Sequence, residues 1–167
     1  MSINFRATHL FLAAIAVIGV AIGEPEHSAV RAAGGGRRSD TQQTQKADGS
    51  RSVWDGVYTA EQAKRGAPLY TQYCASCHGP SLEGGEMSPA LVGLDFTSNW
   101  NGLTLGDLFE RMRVSMPQND PGSLSRQQNA DILACVLSSN KFPAGTTELA
   151  LKTEVLKEIR FVAFKPQ

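Results

Sequence analysis

The sequence predicts a small all-α domain in which three to four helices are joined by long irregular loops. Three segments place apolar residues at helical spacing, and each follows a residue that can cap a helix N-terminus. A long alternation of apolar and polar residues, which would indicate a strand, is not found in the sequence. The length of 167 residues, with 41% hydrophobic and 19% charged residues, favours one globular domain with a tail.

The first two helices have clear predicted starts. The first is predicted to begin after Thr59 and to run toward Cys74, with Gln62 completing a capping box at its N-terminus. The second is predicted to begin near Thr104 and to end at Pro117, because proline cannot continue a helix. The apolar face of the second helix consists of Leu105, Leu108, Phe109 and Met112.

The third helix is predicted to begin at Ser125, which forms a capping box with Gln128. A short fourth helical turn is expected from Thr153. Cys135 lies in the middle of the third helix, where a buried and unreactive thiol is the expected state. The apolar stripe of the third helix consists of Ala130, Leu133, Val136 and Leu137.

A long connection separates the first two helices and is predicted to be irregular from Gly79 to Leu103. A loop of this length is unusual in a compact domain unless something functional organises it. About 110 residues with a few modest helices also make a thin core. A large apolar group in the middle of the domain would resolve both difficulties.

The N-terminus resembles an export signal. A short segment with Arg6 precedes the apolar run Leu10–Ile22, which is too short to span a bilayer comfortably. Small residues allow cleavage after Gly23 or after Ala32, and an uncleaved anchor is the alternative. In each case the domain is predicted to be exported to the periplasm, an oxidising space outside the cytoplasm. There the protein would be either free or tethered to the membrane.

The organisation predicted for the chain has four parts. Residues 1–32 form the signal peptide or anchor, and residues 33–52, which contain no aromatic or large aliphatic residue, form a disordered linker. Residues 53–162 form the folded domain, and residues 163–167 form a C-terminal tail.

Charge and cysteine content exclude several classes of protein. The 16 basic and 16 acidic residues balance, so the chain has no basic field of the kind that binds nucleic acid. Three cysteines cannot all pair within the chain, which argues against a fold built on disulfides.

The chemistry-bearing motif is Cys74-Ala75-Ser76-Cys77-His78, the C-x-x-C-H pattern that attaches a c-type haem. Two thiols at this spacing can each add to one vinyl group of the haem, and the histidine that follows can bind the iron. A thioredoxin-like motif would need a βαβ setting, and a zinc site would need four ligands. A plain disulfide between Cys74 and Cys77 would leave His78 unexplained.

Between Thr59 and Phe142 the sequence resembles the class I cytochrome c family. The resemblance rests on the first helix, the C-x-x-C-H motif, the segment S-P-A-L-V-G at Ser88–Gly93, the segment S-M-P at Ser115–Pro117 and the last helix. It implies a small cytochrome c-like fold wrapped around one covalently attached haem c. It also implies that the first and last helices cross, with Gly66 and Tyr70 of the first helix facing Leu133 and Leu137 of the last.

The resemblance implies His78 and Met116 as the two axial ligands of the iron. The alternative for Met116 is a core position at the end of a loop; Met112 is expected in the core, and Met87 is a weaker candidate ligand. His9 and His27 lie outside the domain.

Two further residues are expected near the haem. The carbonyl of Pro89 is expected to accept a hydrogen bond from His78, which would fix the orientation of the imidazole. Trp100, with Asn99 beside it, is expected either to bond a haem propionate or to pack on the core.

These features predict a single-electron carrier, not an enzyme, because two axial ligands leave no open position on the iron. The subfamily with the greatest likeness accepts electrons from bacterial quinoprotein dehydrogenases. The implied partners are redox proteins: such a dehydrogenase, and a terminal oxidase or another cytochrome. The alternatives are a peroxidase-like or gas-binding haem with an open sixth position, and a dedicated subunit of a dehydrogenase complex.

Overall fold

The computed structural model of the protein describes residues 51–86 and 88–167. Within these residues the all-α prediction is confirmed. The predicted signal peptide or anchor (1–32), residues 33–50 of the predicted linker, and Met87 lie outside the described residues. The elements are, in order, β1 (Arg51–Ser52), α1 (Ala60–Tyr73), α2 (Ala75–His78), α3 (Gly93–Trp100), α4 (Leu105–Ser115), α5 (Arg126–Ser139), α6 (Thr153–Leu156) and β2 (Ile159–Arg160).

Helix α1 begins as predicted, but its capping box is incomplete. The Thr59 side chain accepts a hydrogen bond from the backbone N–H of Gln62 at 3.1 Å. The Gln62 side chain does not return the bond, because it is fully buried and accepts instead from the N–H of Leu149 at 2.8 Å. The prediction of a box was therefore wrong, since tertiary packing draws Gln62 toward the C-terminal segment.

Helices α4 and α5 both carry complete capping boxes. In α5 the partners are Ser125 and Gln128, as predicted. In α4 the partners are Thr104 and Asp107, and the carboxylate of Asp107 also accepts from the Thr104 hydroxyl at 2.7 Å. The hydrogen bonds from Thr104 lower the pKa of Asp107. Each box satisfies N–H groups that a helix start leaves without a partner.

Helix α5 lies at the centre of the domain. Its nine consecutive residues 129–137 are all buried, so burial extends round the whole helix and is not confined to the predicted stripe. Cys135 is among them, as expected. Among the buried polar residues of this stretch, Asp131 accepts hydrogen bonds from Arg65 at 3.1 Å and from Gln127 at 2.8 Å.

The crossing of α1 and α5 requires glycine at position 66. A Cβ atom there would lie 1.8 Å from the carbonyl oxygen of Asp131 and 3.0 Å from the Cβ of Cys135. The predicted glycine at the crossing is therefore confirmed, but its nearest neighbours on α5 are Asp131 and Cys135, not the predicted Leu133 and Leu137. The absence of a side chain at Gly66 lets the two backbones approach closely.

The C-terminal segment returns to the start of the domain. Strand β2 pairs in parallel with β1, and this β1 includes the last two residues of the predicted linker. Aromatic rings pack edge to face beneath this closure, with centroids 4.7 Å apart for Trp54 and Phe142 and 5.4 Å apart for Phe142 and Phe161. Such pairs add specific geometry to apolar burial. Phe161 is fully buried, and Phe96 packs on it from α3.

One part of the predicted irregular connection is helical. Helix α3 occupies Gly93–Trp100, and its N-cap Val92 offers no side chain that could cap the helix. Phe96 is its buried residue, so the segment lacks the apolar stripe by which a helix is recognised in sequence. In the part of the chain that the structure describes, no helix is both long enough and apolar enough to cross a membrane.

Candidate functional site

The C-x-x-C-H motif lies at the junction of α1 and α2. Cys74 ends α1 and begins α2, and its carbonyl accepts hydrogen bonds from the N–H groups of Cys77 at 3.1 Å and of His78 at 2.9 Å. Residues three and four positions apart on one helical turn lie on the same side of it. Cys77 and His78 therefore each lie within one turn of Cys74, as attachment of the three side chains to one haem requires.

The imidazole of His78 is held in one orientation. The residue is buried, and its Nδ1 lies 2.8 Å from the carbonyl oxygen of Pro89, the contact that the sequence predicted. Because a carbonyl can only accept, Nδ1 carries the hydrogen and Nε2 carries the lone pair. Nε2 is the nitrogen that an iron ion would bind, and the hydrogen bond from Nδ1 to the Pro89 carbonyl raises its basicity.

Backbone hydrogen bonds shape the loop that presents Pro89. The N–H of Gly84 donates to the carbonyl of His78 at 2.8 Å, and the N–H of Leu91 donates to the carbonyl of Leu82 at 2.8 Å. Leu82 is buried, with a positive φ of 65°, whereas Pro89 is exposed. The loop is thus anchored at Leu82 and returns on itself to place the Pro89 carbonyl over the imidazole.

Tyr70 connects this loop to helix α1. Its hydroxyl donates to the carbonyl of Gly79 at 2.6 Å, directly after the motif. Burial raises the pKa of Tyr70 to about 12, so the hydroxyl keeps its proton and remains a donor at neutral pH. The sequence predicted Tyr70 at the helix crossing but did not predict this bond, because no local pattern connects a helix position to a carbonyl nine residues later.

The three cysteines all lie within the described residues, form no disulfide and have different surroundings. Burial, with smaller contributions from Cys135 and Cys77, raises the pKa of Cys74 to about 11. Cys77 is exposed. Burial also raises the pKa of Cys135, opposed by a hydrogen bond with Ser139. Cys135 is therefore a protonated thiol at neutral pH and a poor nucleophile, which agrees with its predicted inert state.

Met116 directly follows helix α4. Its backbone is extended, its N–H donates to the carbonyl of Met112 at 2.9 Å, and the residue is half-buried. Met112 is half-buried on the core, where it was expected. Met87, the weaker candidate ligand, lies outside the described residues. The role of Met116 as an iron ligand stays a prediction.

Trp100 ends helix α3 and is half-buried against the hydrophobic core. Its neighbour Asn99 is exposed. Packing on the core was one of the two roles expected for Trp100, and a contact of Trp100 with a haem propionate stays a prediction.

The donor groups of the site fit a haem c. Two thiols on one helical turn match the two vinyl groups, and a buried imidazole has its Nε2 lone pair directed away from its carbonyl partner. Cys74 and Cys77 would hold the haem covalently, and His78 would bind its iron.

The sequence analysis missed Asn140, which connects α5 to the loop that carries Pro89. No local signal was available. The left-handed residue after a helix is usually glycine and sometimes asparagine, but here it is Lys141, with a positive φ of 66°, and Asn140 is the C-cap before it.

Comparison with known proteins agrees with this site. The family model described as cytochrome c oxidase, cbb3-type, subunit III matches residues 61–134. The matched range contains the whole C-x-x-C-H motif, Met116 and most of α5.

Among solved structures, the chain is similar to one from the crystal structure of the sulfane dehydrogenase SoxCD from Paracoccus pantotrophus. The two share 22% sequence identity with a TM-score of 0.44. The alignment covers 69% of this chain and 66% of that chain, so it spans just under two thirds of the length of the SoxCD chain. A search of curated proteins gave no match.

Three findings point to the same kind of domain. They are the range that the family model matches, the attachment motif on a single helical turn, and the crossing of the first and last long helices. These findings support a monohaem class I c-type cytochrome domain with one covalently bound haem c.

Proposed function

We propose that the protein is a single-electron carrier with His78 and Met116 as axial ligands, working outside the cytoplasm. The observation that carries this proposal is the hydrogen bond of 2.8 Å between His78 Nδ1 and the Pro89 carbonyl, on the turn that holds both attachment cysteines. It leaves Nε2 as the nitrogen for the iron.

The residues of the chain define what the site can do. When bound, the haem supplies one-electron chemistry, because its iron changes between Fe(III) and Fe(II). His78 and Met116 would both hold the iron, so no position on the metal would be left open to a substrate. A donor protein loses one electron, which this protein gains and then passes to an acceptor. A thioether ligand favours the reduced state and raises the reduction potential.

The surroundings of α4 support the role of Met116. The capping box fixes the start of the helix at Thr104. A Cβ atom added at Gly106 would lie 2.7 Å from the carbonyl oxygen of Thr153, so α4 and α6 are in close contact. A helix held at its start and along its side gives the residue directly after it, Met116, a defined position.

Redox partners would meet the protein at the surface around the motif. Ser76 and Cys77 are exposed, and Val114, two residues before Met116, is 51% exposed. A small, partly apolar contact area suits the brief encounters of electron transfer. We propose a quinoprotein dehydrogenase as the donor. For the acceptor we propose a terminal oxidase, since the matching family is named as an oxidase subunit, or another cytochrome.

The periplasmic location is part of the same proposal. It is supported by the export pattern of residues 1–32 and by the haem attachment motif, since c-type haem is attached outside the cytoplasm. A role as a dedicated subunit of a dehydrogenase complex predicts that the protein is isolated together with a large partner.

The experiment compares Met116→Ala with Met112→Ala in protein exported by a host that attaches c-type haem. Wild-type protein is expected to gain the mass of one haem and to show a red absorption band from Fe(III)–thioether charge transfer. Met116→Ala is expected to lose this band and to have a lower reduction potential, whereas Met112→Ala keeps the band.

Two outcomes would contradict the proposal. Colourless wild-type protein with two free thiols at the motif would exclude haem attachment. An unchanged band and potential in Met116→Ala would exclude Met116 as a ligand. Binding of carbon monoxide or peroxide by the wild-type protein would instead support the alternative of an open sixth position.

A further inference from the structure

Asn140, the residue that ends α5, binds three backbone groups with one side chain. Its Nδ2 donates to the carbonyl of Leu91 at 2.8 Å and to the carbonyl of Val136 at 2.9 Å. Its Oδ1 accepts from the N–H of Gly93 at 3.1 Å. Both hydrogens and the oxygen of the amide are therefore used, and two of the three bonds reach a segment nearly fifty residues earlier in the chain.

These bonds fix the segment that follows Pro89. The peptide groups of Leu91 are held on both sides, because its N–H donates to Leu82 and its carbonyl accepts from Asn140. Pro89 lies two residues before Leu91 and is itself exposed. Among the residues described between 79 and 92, Leu82 is the one with a buried side chain. Hydrogen bonds, more than apolar burial, therefore hold the Pro89 carbonyl in place.

We propose that Asn140 is a positioning residue for the axial ligand His78, an inference that rests on the proposed function. Asn140 holds residues 91–93 against the rigid end of α5, and this holds the Pro89 carbonyl at hydrogen-bond distance from His78 Nδ1. A firm bond at Nδ1 makes the imidazole more basic. A more basic ligand stabilises Fe(III), so Asn140 keeps the reduction potential lower than it would otherwise be.

The chemistry of the amide allows two informative variants. Asn140→Ala removes all three bonds. Asn140→Asp keeps an acceptor for the N–H of Gly93 but cannot donate to Leu91, and it places a carboxylate near a carbonyl oxygen. Asn129→Ala is the matched control, because Asn129 is a buried amide on the same helix that donates to the carbonyls of Leu124 and Ser125.

The test measures the haem-loaded proteins by potentiometry and by NMR of the His78 Nδ1–H. Both Asn140 variants are expected to raise the reduction potential and to shift the Nδ1–H resonance. The exchange of this proton with solvent is expected to become faster by about fivefold, the effect of weakening one hydrogen bond. The N–H of Leu91 should lose protection in parallel. Asn129→Ala should lower stability without changing the potential.

Two results would overturn the inference. In one, both Asn140 variants keep the wild-type potential and Nδ1–H resonance. In the other, Asn129→Ala shifts them as much as Asn140→Ala does, so the effect reports stability alone. Covalent attachment keeps the haem in place in both variants. If Asn140→Ala does not fold, the reduction potential and the Nδ1–H resonance of Asn140→Asp test the inference. Wild-type protein without haem would instead be a failure of the proposed function.

Discussion

The pair of helices α1 and α5 differs in almost every respect from the loop of residues 79–92. In α5, nine consecutive residues are buried, and a complete capping box defines the helix start. In the loop, Leu82 is the buried side chain among the described residues, and backbone hydrogen bonds shape the chain. Yet the loop supplies the carbonyl that orients His78. The helix pair supplies stability, and the loop supplies the geometry of the site.

This difference shows that stability and the geometry of the site come from different regions of the domain. Apolar burial is strong but has little directionality, so it suits a scaffold. Hydrogen bonds contribute less net free energy but require defined distances and angles, so they suit the placement of a ligand. Substitutions in the helix pair should therefore change stability, whereas substitutions at the bonds of the loop should change the site.

The largest effect on stability is expected from Gly66→Ala at the helix crossing. The new Cβ would lie 1.8 Å from the Asp131 carbonyl oxygen, so the helices must separate, and we expect a loss of about 3 kcal/mol in the free energy of unfolding. Urea denaturation followed by circular dichroism measures it.

The same change in the loop, Gly85→Ala, is the matched control. Its Cβ would lie 3.1 Å from the carbonyl oxygen of Cys77, a contact that a small shift can relieve, so we expect a loss below about 1 kcal/mol. Equal losses in the free energy of unfolding for Gly66→Ala and Gly85→Ala would contradict the contrast between the helix pair and the loop.

A smaller effect is expected from Tyr70→Phe, which removes the bond that joins α1 to the loop at Gly79. We expect a loss of about 1 kcal/mol, with faster hydrogen exchange at the N–H groups of Leu82 and Gly84. Since the folded pKa of Tyr70 is raised to about 12, its contribution is present below pH 10 and is lost as the pH rises through 12.

The control for Tyr70 is Tyr58→Phe. The Tyr58 hydroxyl donates to the carbonyl of Phe142 at 2.6 Å, away from the loop. This variant should lower stability by a similar amount but should leave exchange at Leu82 and Gly84 unchanged. Faster exchange at these groups in both variants would mean that the loop responds to global stability alone.

The smallest effect is expected from Glu110→Gln, at the partly exposed contact between α4 and α6. Hydrogen bonds from Arg113 and then Thr153 lower the pKa of Glu110 from 4.5 to about 2. A lowered pKa stabilises the fold above pH 4.5, and this contribution is lost as the pH falls toward 2.

Because the Glu110 pair is partly exposed, we expect the variant to lose less than about 1 kcal/mol at pH 7. The difference from wild type should shrink as the pH falls through about 2. Acid unfolding curves of Glu110→Gln and of Glu154→Gln, which removes an equal charge from α6, measure this. A constant difference between Glu110→Gln and wild type at all pH values would contradict the explanation.

The same contrast explains how much of the fold the sequence predicts. Helix starts at Thr59, Thr104 and Ser125 are visible because capping is local, and these starts agree with the structure. Helix α3 was missed because it has no capping side chain and one buried residue. The orientation of Gln62 was wrong because its partner, Leu149, is 87 residues away.

For the candidate site, the motif and its family resemblance predicted the bond between His78 and Pro89. They did not predict Tyr70 or Asn140 as partners of the loop, because both act on backbone carbonyls. A carbonyl is present at every residue and leaves no mark in the sequence.

The closure between the two ends of the domain bears on when the haem could be attached. The bond from Trp54 Nε1 to the carbonyl of Val162 joins residues 108 positions apart, and the pairing of β1 with β2 lies beside it. Contacts over such separations form late, since much of the chain must be ordered first. If the chain is exported N-terminus first, as proposed, Cys74 emerges before the 93 residues that follow it, so its thiol can receive the haem while still solvated, before folding partly buries it.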